Sequence, residues 1–312
     1  MIRNNIRKIS IITILIILFI STLCCSLFYN LSPENSSIIL EFIRIPNTIK
    51  AIIAGSSLAL AGMILQAITR NPLADPYLTG LSSGAGLGIV ISILYFNSIN
   101  YSLFGFIGAL LTSILVICLS GFSKFSISKL ILIGLSINIL ASSIIAFLIL
   151  TNSEKAYAMT LILSGGFSSA DTSKTLLIIL FLIALAICIF LIPKLNLMRI
   201  DSTLTFNSLN KVIKYNITFI ILSAFLTSIA VFTAGILGFV GIIVPHLAKI
   251  LVGNDFRILI FTNFLLGGLI LLISNFISTN LIAPIQIPLG IVIAFIGVPI
   301  FIFFLLRRDF EW

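Results

Sequence analysis

Long apolar stretches constrain the fold of this chain more than any other feature. A helix needs about 20 apolar residues to cross about 30 Å of hydrocarbon, and hydrophobic residues make up 60% of these 312 positions while charged residues make up 9%. Soluble domains carry about 25% charged residues. The pattern therefore predicts an all-α integral membrane protein whose helices satisfy their own backbone groups in lipid. Ten stretches qualify: 9–31, 46–69, 77–96, 101–121, 127–151, 174–193, 212–233, 235–252, 258–280 and 287–306.

The eighth stretch, residues 235–252, is the least regular because Gly238, Gly241 and Pro245 interrupt it. A ten-helix count and a nine-helix count with a re-entrant segment at this place both remain open. The rest of the chain has no low-complexity tail and no soluble segment, so residues 1–312 are predicted to form one polytopic domain. Three connections exceed a simple turn: 32–45, 152–173 and 194–211.

The distribution of basic residues predicts the orientation. If ten helices start in the cytoplasm, both termini are cytoplasmic, and only four of the 18 Lys and Arg residues fall outside, namely Arg44, Lys50, Lys155 and Lys174. This asymmetry follows the positive-inside rule. The net charge of +9 is therefore a signal of topology, and it predicts no nucleic-acid partner. We expect a multi-pass protein of the cell membrane, in contact with lipids.

The N-terminal apolar run is predicted to be a retained helix. Basic residues precede it, as in a secretory signal, but the run of about 23 residues exceeds the 7–15 residues of a signal core. We therefore expect it to be the first membrane-spanning helix.

Residues that could perform chemistry are sparse. The nine Asp and Glu residues map to loops or helix ends, and the four cysteines lie in apolar segments without the spacing of metal ligands. His246 is the single histidine. The sequence also has no Gly-x-x-x-x-Gly-Lys-Ser/Thr loop, so the chain cannot hydrolyse ATP alone. We predict no catalytic residue, no metal site and no cofactor.

Four segments rich in glycine and proline carry a specific pattern. They are Arg44-Ile45-Pro46-Asn47; the run from Gln66 to Gly86, which contains Asn71-Pro72-Leu73-Ala74-Asp75-Pro76; the run from Gly235 through Gly238-Phe239-Val240-Gly241 to Pro245-His246; and Ile287-Pro288-Leu289-Gly290 with Gly297-Val298-Pro299. Proline suits the first turn of a helix, and the prolines of the second segment favour a rigid turn. In order and spacing, from about residue 40 to 308, these segments resemble the FecCD family of permeases.

The resemblance implies an architecture, a function and a set of partners. It implies a ten-helix subunit of a type II ABC importer that forms a homodimer, with a pathway along the dimer interface. Two ATPase subunits would dock on the cytoplasmic side and one substrate-binding protein on the outer side. The family imports ferric siderophores, haem and cobalamin. A ferric siderophore is the first expectation here, and haem and cobalamin remain open.

The resemblance also assigns candidate residues at both mouths of the pathway. Asn71 and Leu73 would form the cytoplasmic gate, with a simple turn-capping role for Asn71 as the alternative. Arg44 would pair with an acidic residue of the binding protein, with a lipid-headgroup anchor as the alternative. Asn47 and Thr279 stand where relatives often carry further arginines, so any docking by salt bridges would depend on Arg44.

The inner segment 194–211 matches the loop through which family members couple to the ATPase. Asn210 stands where glycine is usual, and because asparagine tolerates left-handed backbone we expect a turn there. A solvated linker is the alternative. The candidate coupling residues are Asp201, Ser202, Ser208, Leu209 and Asn210.

Two other functions were weighed. A stand-alone secondary transporter predicts an ionisable residue near the middle of the membrane. A membrane enzyme acting on lipid phosphates predicts clustered acids, histidines or arginines at one face. The sequence shows neither pattern, so the permease is favoured.

Overall fold

The computed structural model describes residues 2–29, 36–96, 100–121, 127–167, 174–205, 209–283 and 285–306. Within these ranges the chain is helical and contains no strand. A π-helical turn at Leu40–Arg44 and a 3-10 turn at Pro76–Thr79 accompany the α-helices. The helices are α1 (Ile2–Phe28), α2 (Ser36–Ile39), α3 (Ile45–Thr69), α4 (Leu81–Tyr95), α5 (Tyr101–Ser120), α6 (Ile127–Thr151), α7 (Ser153–Leu163), α8 (Lys174–Thr205), α9 (Leu209–Ala234), α10 (Val240–Val252), α11 (Phe256–Asn280) and α12 (Leu289–Leu306).

Each of the ten predicted stretches contains a helix, but the exact count of ten spans is not confirmed. Seven helices in the described ranges are long and apolar enough to cross a membrane. The apolar helices α4 and α10 have 15 and 13 residues, which corresponds to about 22 Å and 20 Å at 1.5 Å per residue. Both fall short of about 30 Å of hydrocarbon. The chain is a multi-pass, all-helical membrane protein.

The stretch 235–252, where a tenth helix and a re-entrant segment both remained open, is helical only in part. Residues 235–239 are not helical, and α10 begins only at Val240. Gly235 and Phe239 have φ angles of +74° and +67°, which a right-handed α-helix cannot include. The predicted interruption of this stretch is therefore present at its start.

The three predicted long connections are shorter than expected. Part of 32–45 is helical, since α2 and the π-helical turn lead directly into α3. Helix α7 occupies half of 152–173. Helix α8 continues through Pro193 to Thr205, since neighbouring groups in a membrane helix can satisfy the backbone that a proline frees. Asn210 lies in the first turn of α9, so the predicted left-handed turn at Asn210 is wrong.

Helix α3 lies at the centre of the fold, and most of its residues are buried. Serine hydroxyls connect it to its neighbours. Ser56 Oγ donates to Phe264 O of α11 at 2.8 Å, and Ser223 Oγ of α9 donates to Ala61 O at 3.1 Å. Hydrogen bonds of this type help to hold helices together in lipid. They matter there because lipid chains are as apolar as the helix surfaces, so no hydrophobic force drives the helices together.

Glycine pairs set the closest helix crossings. A Cβ at Gly55 of α3 would overlap the carbonyl group of Gly267 of α11, and the reverse also holds. Gly62 meets Gly241 of α10 in the same way. Close backbone approach at small residues is the usual means of helix association in membranes. The small residues of α3 therefore serve tight packing within one subunit.

Large apolar side chains cover the outer surface. Leu150 of α6, Phe190 of α8 and Phe295 of α12 are among the most exposed. A membrane, or a second membrane-embedded chain, accepts such a surface without cost, whereas water does not.

Candidate functional site

The predicted gate residues lie in a tight turn between α3 and the 3-10 turn. Arg70 ends α3 in left-handed backbone with φ +51°. The Leu73 amide donates to Asn71 Oδ1 at 2.9 Å, and the Ala74 amide donates to Asn71 O at 3.2 Å. This is an Asx turn, which explains why asparagine stands at position 71. Asn71 is exposed, and 39% of the Leu73 surface is exposed, so the turn presents an apolar side chain outward.

Asp75 fixes the end of this turn. Its Oδ1 accepts the Tyr77 amide at 3.1 Å and thereby caps the 3-10 turn. Burial of the carboxyl group raises the pKa of Asp75 to about 6, against the opposing effect of the Tyr77 amide bond. Asp75 lies between helices, outside the spanning segments. The carboxyl group of this turn therefore holds its proton to a higher pH than an exposed aspartate does.

Tyr77 joins the turn to the broken segment 235–239. Its hydroxyl oxygen accepts the Leu237 amide at 3.2 Å. A Cβ at Gly241 would lie 2.7 Å from Pro76 Cδ, so α10 packs directly on the turn. The Asn-Pro-Leu-Ala-Asp-Pro segment and the Gly-Phe-Val-Gly segment, which are separated by about 160 residues in sequence, thus form one unit.

Asn138 of α6 holds the start of α4 against this unit. Its Nδ2 donates to Tyr77 O at 3.1 Å, and its Oδ1 accepts from Ser82 Oγ and from the Ser83 amide, each at 3.3 Å. The residue at the N-cap of α4 is Gly80, which has no side chain to cap the first amides. Asn138 supplies that cap from another helix. Sequence reasoning did not select Asn138, although an amide inside a long apolar helix was a usable signal.

Gln66 and Lys249 form a second contact between α3 and α10 on this side. Gln66 is fully buried, and its Nε2 donates to Ile242 O at 3.1 Å and more weakly to Gly241 O at 3.5 Å. Its Oε1 accepts Lys249 Nζ at 3.1 Å. These contacts satisfy carbonyl groups at the broken start of α10 and fix α10 to the end of α3.

Three helix interruptions meet next to this unit, since Leu237, which donates to Tyr77, also contacts Gly165. The Gly166 amide donates to Ala234 O at 2.9 Å, the Leu289 amide to Gly165 O at 3.1 Å and the Gly290 amide to Ser164 O at 3.1 Å. Non-helical backbone at membrane depth is tolerated only where it is buried in protein or lines a cavity. The glycine-rich segments 235–239 and 287–290 were singled out from sequence, but 164–166 was assigned to a loop.

Cavities lie on both sides of this junction. One, of about 180 Å³, is lined in about equal parts by polar residues of α3, α5 and α11 and by apolar residues such as Ile89, Leu161 and Val231, together with the junction itself. The other, of about 610 Å³, is apolar and is lined by Phe239 and by α12 residues that include Phe295 and Pro299. The junction therefore lies between a partly polar cavity and an apolar one.

Arg44 makes contacts within its own chain. Its Nη1 donates to Ser26 O at 3.1 Å and its Nη2 to Tyr29 O at 3.4 Å. These carbonyl groups belong to the end of α1, where a cation is favourable. Lys155 does the same for α4, since its Nζ donates to Ile93 O and Leu94 O at 3.0 and 3.2 Å.

The candidate coupling residues lie around the connection between α8 and α9. Asp201 and Ser202 fall in the last turns of α8, and Leu209 and Asn210 begin α9. Ser208 lies outside the described residues. These residues are close in sequence to one helix–helix connection.

Comparison with known proteins decides the family. The model of the FecCD transport family matches residues 7–307. The chain belongs to the FecCD transport family. This confirms the resemblance drawn from the glycine and proline motifs, and it accounts for the agreement of those motifs over nearly the whole chain.

Relatives of this FecCD chain are permeases of metal-chelate transport systems. It is 30% identical over 291 residues to the probable siderophore transport system permease protein YfhA of Bacillus subtilis, covering 90% of this chain and 85% of YfhA. It is 31% identical over 276 residues to the hemin transport system permease protein HmuU of Yersinia pestis, covering 85% and 82%. A solved structure of a metal-chelate type ABC transporter in an inward-facing conformation matches with a TM-score of 0.84 and 28% identity, over 96% of this chain and 99% of that one.

Proposed function

We propose that this protein is the membrane-spanning permease subunit of an ATP-binding-cassette importer that carries an iron chelate. The observation that carries the proposal is the match of the FecCD transport family over residues 7–307. Siderophore and hemin permeases among the relatives support a ferric siderophore or haem as cargo. The chain itself performs no catalysis in this account.

The mechanism we propose is alternating access in a homodimer. Two ATPase subunits would bind at the α8–α9 connection, where Asp201, Ser202, Ser208, Leu209 and Asn210 would transmit their closure. Two copies of the Asn71–Leu73 turn would close the cytoplasmic mouth, since Leu73 offers an exposed apolar side chain on a rigid turn. Both chain termini would lie in the cytoplasm, in agreement with the distribution of basic residues.

Binding-protein capture would occur on the outer face, near Arg44. Two of the five guanidinium N–H donors of Arg44 bind the end of α1. The remaining donors could still pair with an acidic side chain. Arg44 would then both bind the carbonyl groups at the end of α1 and contribute to docking.

Transport by the reconstituted complex tests this proposal. The permease should co-purify with an ATPase subunit in about equal amount, and the complex in proteoliposomes should take up radiolabelled ferric siderophore, haem or cobalamin only with ATP and the binding protein. A variant ATPase that cannot hydrolyse ATP is the control. Uptake by the permease alone, without ATP, would refute the proposal and favour a stand-alone secondary transporter.

A further inference from the structure

The polar cavity of about 180 Å³ at the helix junction has no role in the mechanism above. Its polar walls come from the first turns of α3 and α5, the last turns of α11 and the segment before α12. The polar lining residues are Asn47, Tyr101, Ser102, Asn275, Ser278, Thr279 and Gln286. All lie at the end of the bundle that the basic residues place outside the cell.

Several of these side chains are buried without a hydrogen-bond partner among the residues that the structure describes. Asn275 is 7% exposed and Ser102 is 8% exposed, and both line the cavity. Neither side chain makes a hydrogen bond with any described residue, and the same is true of Asn47 and Gln286 at the margin. The cavity therefore presents donors and acceptors that water or a guest group can reach.

The size of the cavity excludes the cargo as its occupant. At about 30 Å³ for each water, 180 Å³ holds about six water molecules. Pockets for whole small ligands have about 300–1,000 Å³, and an iron chelate needs at least that. The cavity matches one extended side chain.

The charge of the cavity selects a neutral guest. Among the described residues that line it there is no Lys, Arg, His, Asp or Glu. Arg44 and Lys155, two basic residues of this end, donate to carbonyl groups at the ends of α1 and α4. A buried carboxylate or ammonium group without a counter-charge costs several kcal/mol. Burial of an amide or hydroxyl group carries no such penalty if the group forms hydrogen bonds with the side chains of Asn275 and Ser102.

We propose that this cavity is a docking socket for a neutral polar side chain, Asn, Gln, Ser or Thr, on a loop of the extracytoplasmic binding protein. The inference depends on the proposed importer function and adds the chemistry of the docking contact. Hydrogen bonds in the socket, rather than ion pairs, supply most of the affinity. The contact is therefore only weakly sensitive to salt.

The test uses the permease–ATPase complex in nanodiscs and the purified, substrate-free binding protein that co-purifies with it. Asn275→Leu should weaken binding at least tenfold, and Gln286→Leu, at an exposed position, at least threefold. Thr151→Val is the control at the same end of the bundle, because Thr151 lies outside the cavity and its hydroxyl bonds to Phe147 O of its own helix. It should change binding less than twofold. Between 50 and 500 mM NaCl the wild-type Kd should change less than about fivefold, the limit for one exposed ion pair.

The outcomes separate this inference from the proposed function. A wild-type complex that binds no binding protein refutes the importer itself. Normal wild-type binding that is unchanged in both Asn275→Leu and Gln286→Leu refutes only the socket, as does a Kd that rises a hundredfold with salt. A change in the KM for cargo with unchanged binding-protein affinity would assign the cavity to the cargo and overturn the inference. Because Gln286 is exposed, its variant remains informative even if Asn275→Leu does not fold.

Discussion

Asn138 offers the sharpest test of how the turn at Asn71–Tyr77 is held. Asn138→Leu keeps the size of the side chain and removes three hydrogen bonds, to Tyr77 O, Ser82 Oγ and the Ser83 amide. Interhelical hydrogen bonds in membranes average about 0.6 kcal/mol and reach about 1.7 kcal/mol, so three amount to about 2 kcal/mol. Ser83 is buried, and an amide left without a partner there would raise the loss to about 4 kcal/mol.

Unfolding of the purified protein in mixed detergent micelles by increasing SDS measures this loss. Ser143→Ala is the control, because Ser143 lies on the same helix and its hydroxyl bonds only to Ile139 O of its own turn. We expect about 2–4 kcal/mol of destabilisation for Asn138→Leu and less than 0.5 kcal/mol for the control. In the reconstituted importer, ATP hydrolysis should continue while uptake for each ATP falls. A loss below 0.5 kcal/mol with unchanged uptake would refute the assignment of Asn138 as the clamp of this turn.

Three further predictions follow from packing, burial and charge. Gly55→Ala should destabilise the protein by about 1–3 kcal/mol in the same unfolding assay, because the new Cβ overlaps Gly267. Gly238→Ala, whose new Cβ meets open space, should change the stability by less than 0.5 kcal/mol. Equal effects of the two substitutions would contradict the close crossing. The pKa of Asp75 is about 6 in the folded protein, against an ordinary value of 3.8. Between these pH values the folded state binds more protons than the unfolded state. Wild-type stability should therefore fall as pH rises through this window, by up to about 3 kcal/mol. Asp75→Asn should remove that dependence, and an unchanged pH profile would refute the burial of the carboxyl group. Arg44→Gln should lower stability by about 0.5–1 kcal/mol, because the carbonyl groups at the end of α1 lose a cation. It should weaken capture of the binding protein less than fivefold. A tenfold or greater loss of capture would make Arg44 the main docking residue.

The sequence predicted helices where apolar length alone decides the outcome. Helix α3, with Pro46 in its first turn, and helix α11 match the expected stretches closely, because about 25 apolar residues in lipid have no alternative to a helix. The turn at Asn71 was also predictable, since proline and asparagine set local backbone angles. At Asn71 the local residue types and the observed backbone agree.

Helix ends and distant contacts were less predictable. The helical stretch at α7 and the continuation of α8 past Pro193 were missed because polar residues and proline usually end a helix in water. The junction of 164–166 with Ala234 and Leu289 is made by backbone groups, and any residue type provides those groups. Side-chain patterns carry no information about which backbone carbonyl a distant amide will find, so only the fold revealed this contact.

One short segment connects the turn at Asn71 to the cavity at the helix junction. Ala234 O accepts the Gly166 amide at the wall of that cavity, and three residues later the Leu237 amide donates to the hydroxyl of Tyr77. Gly241, at the other end of the segment, packs on Pro76. Residues 235–239 are not helical, so the turn and the junction are joined by hydrogen-bonded, non-helical backbone and not by a continuous helix.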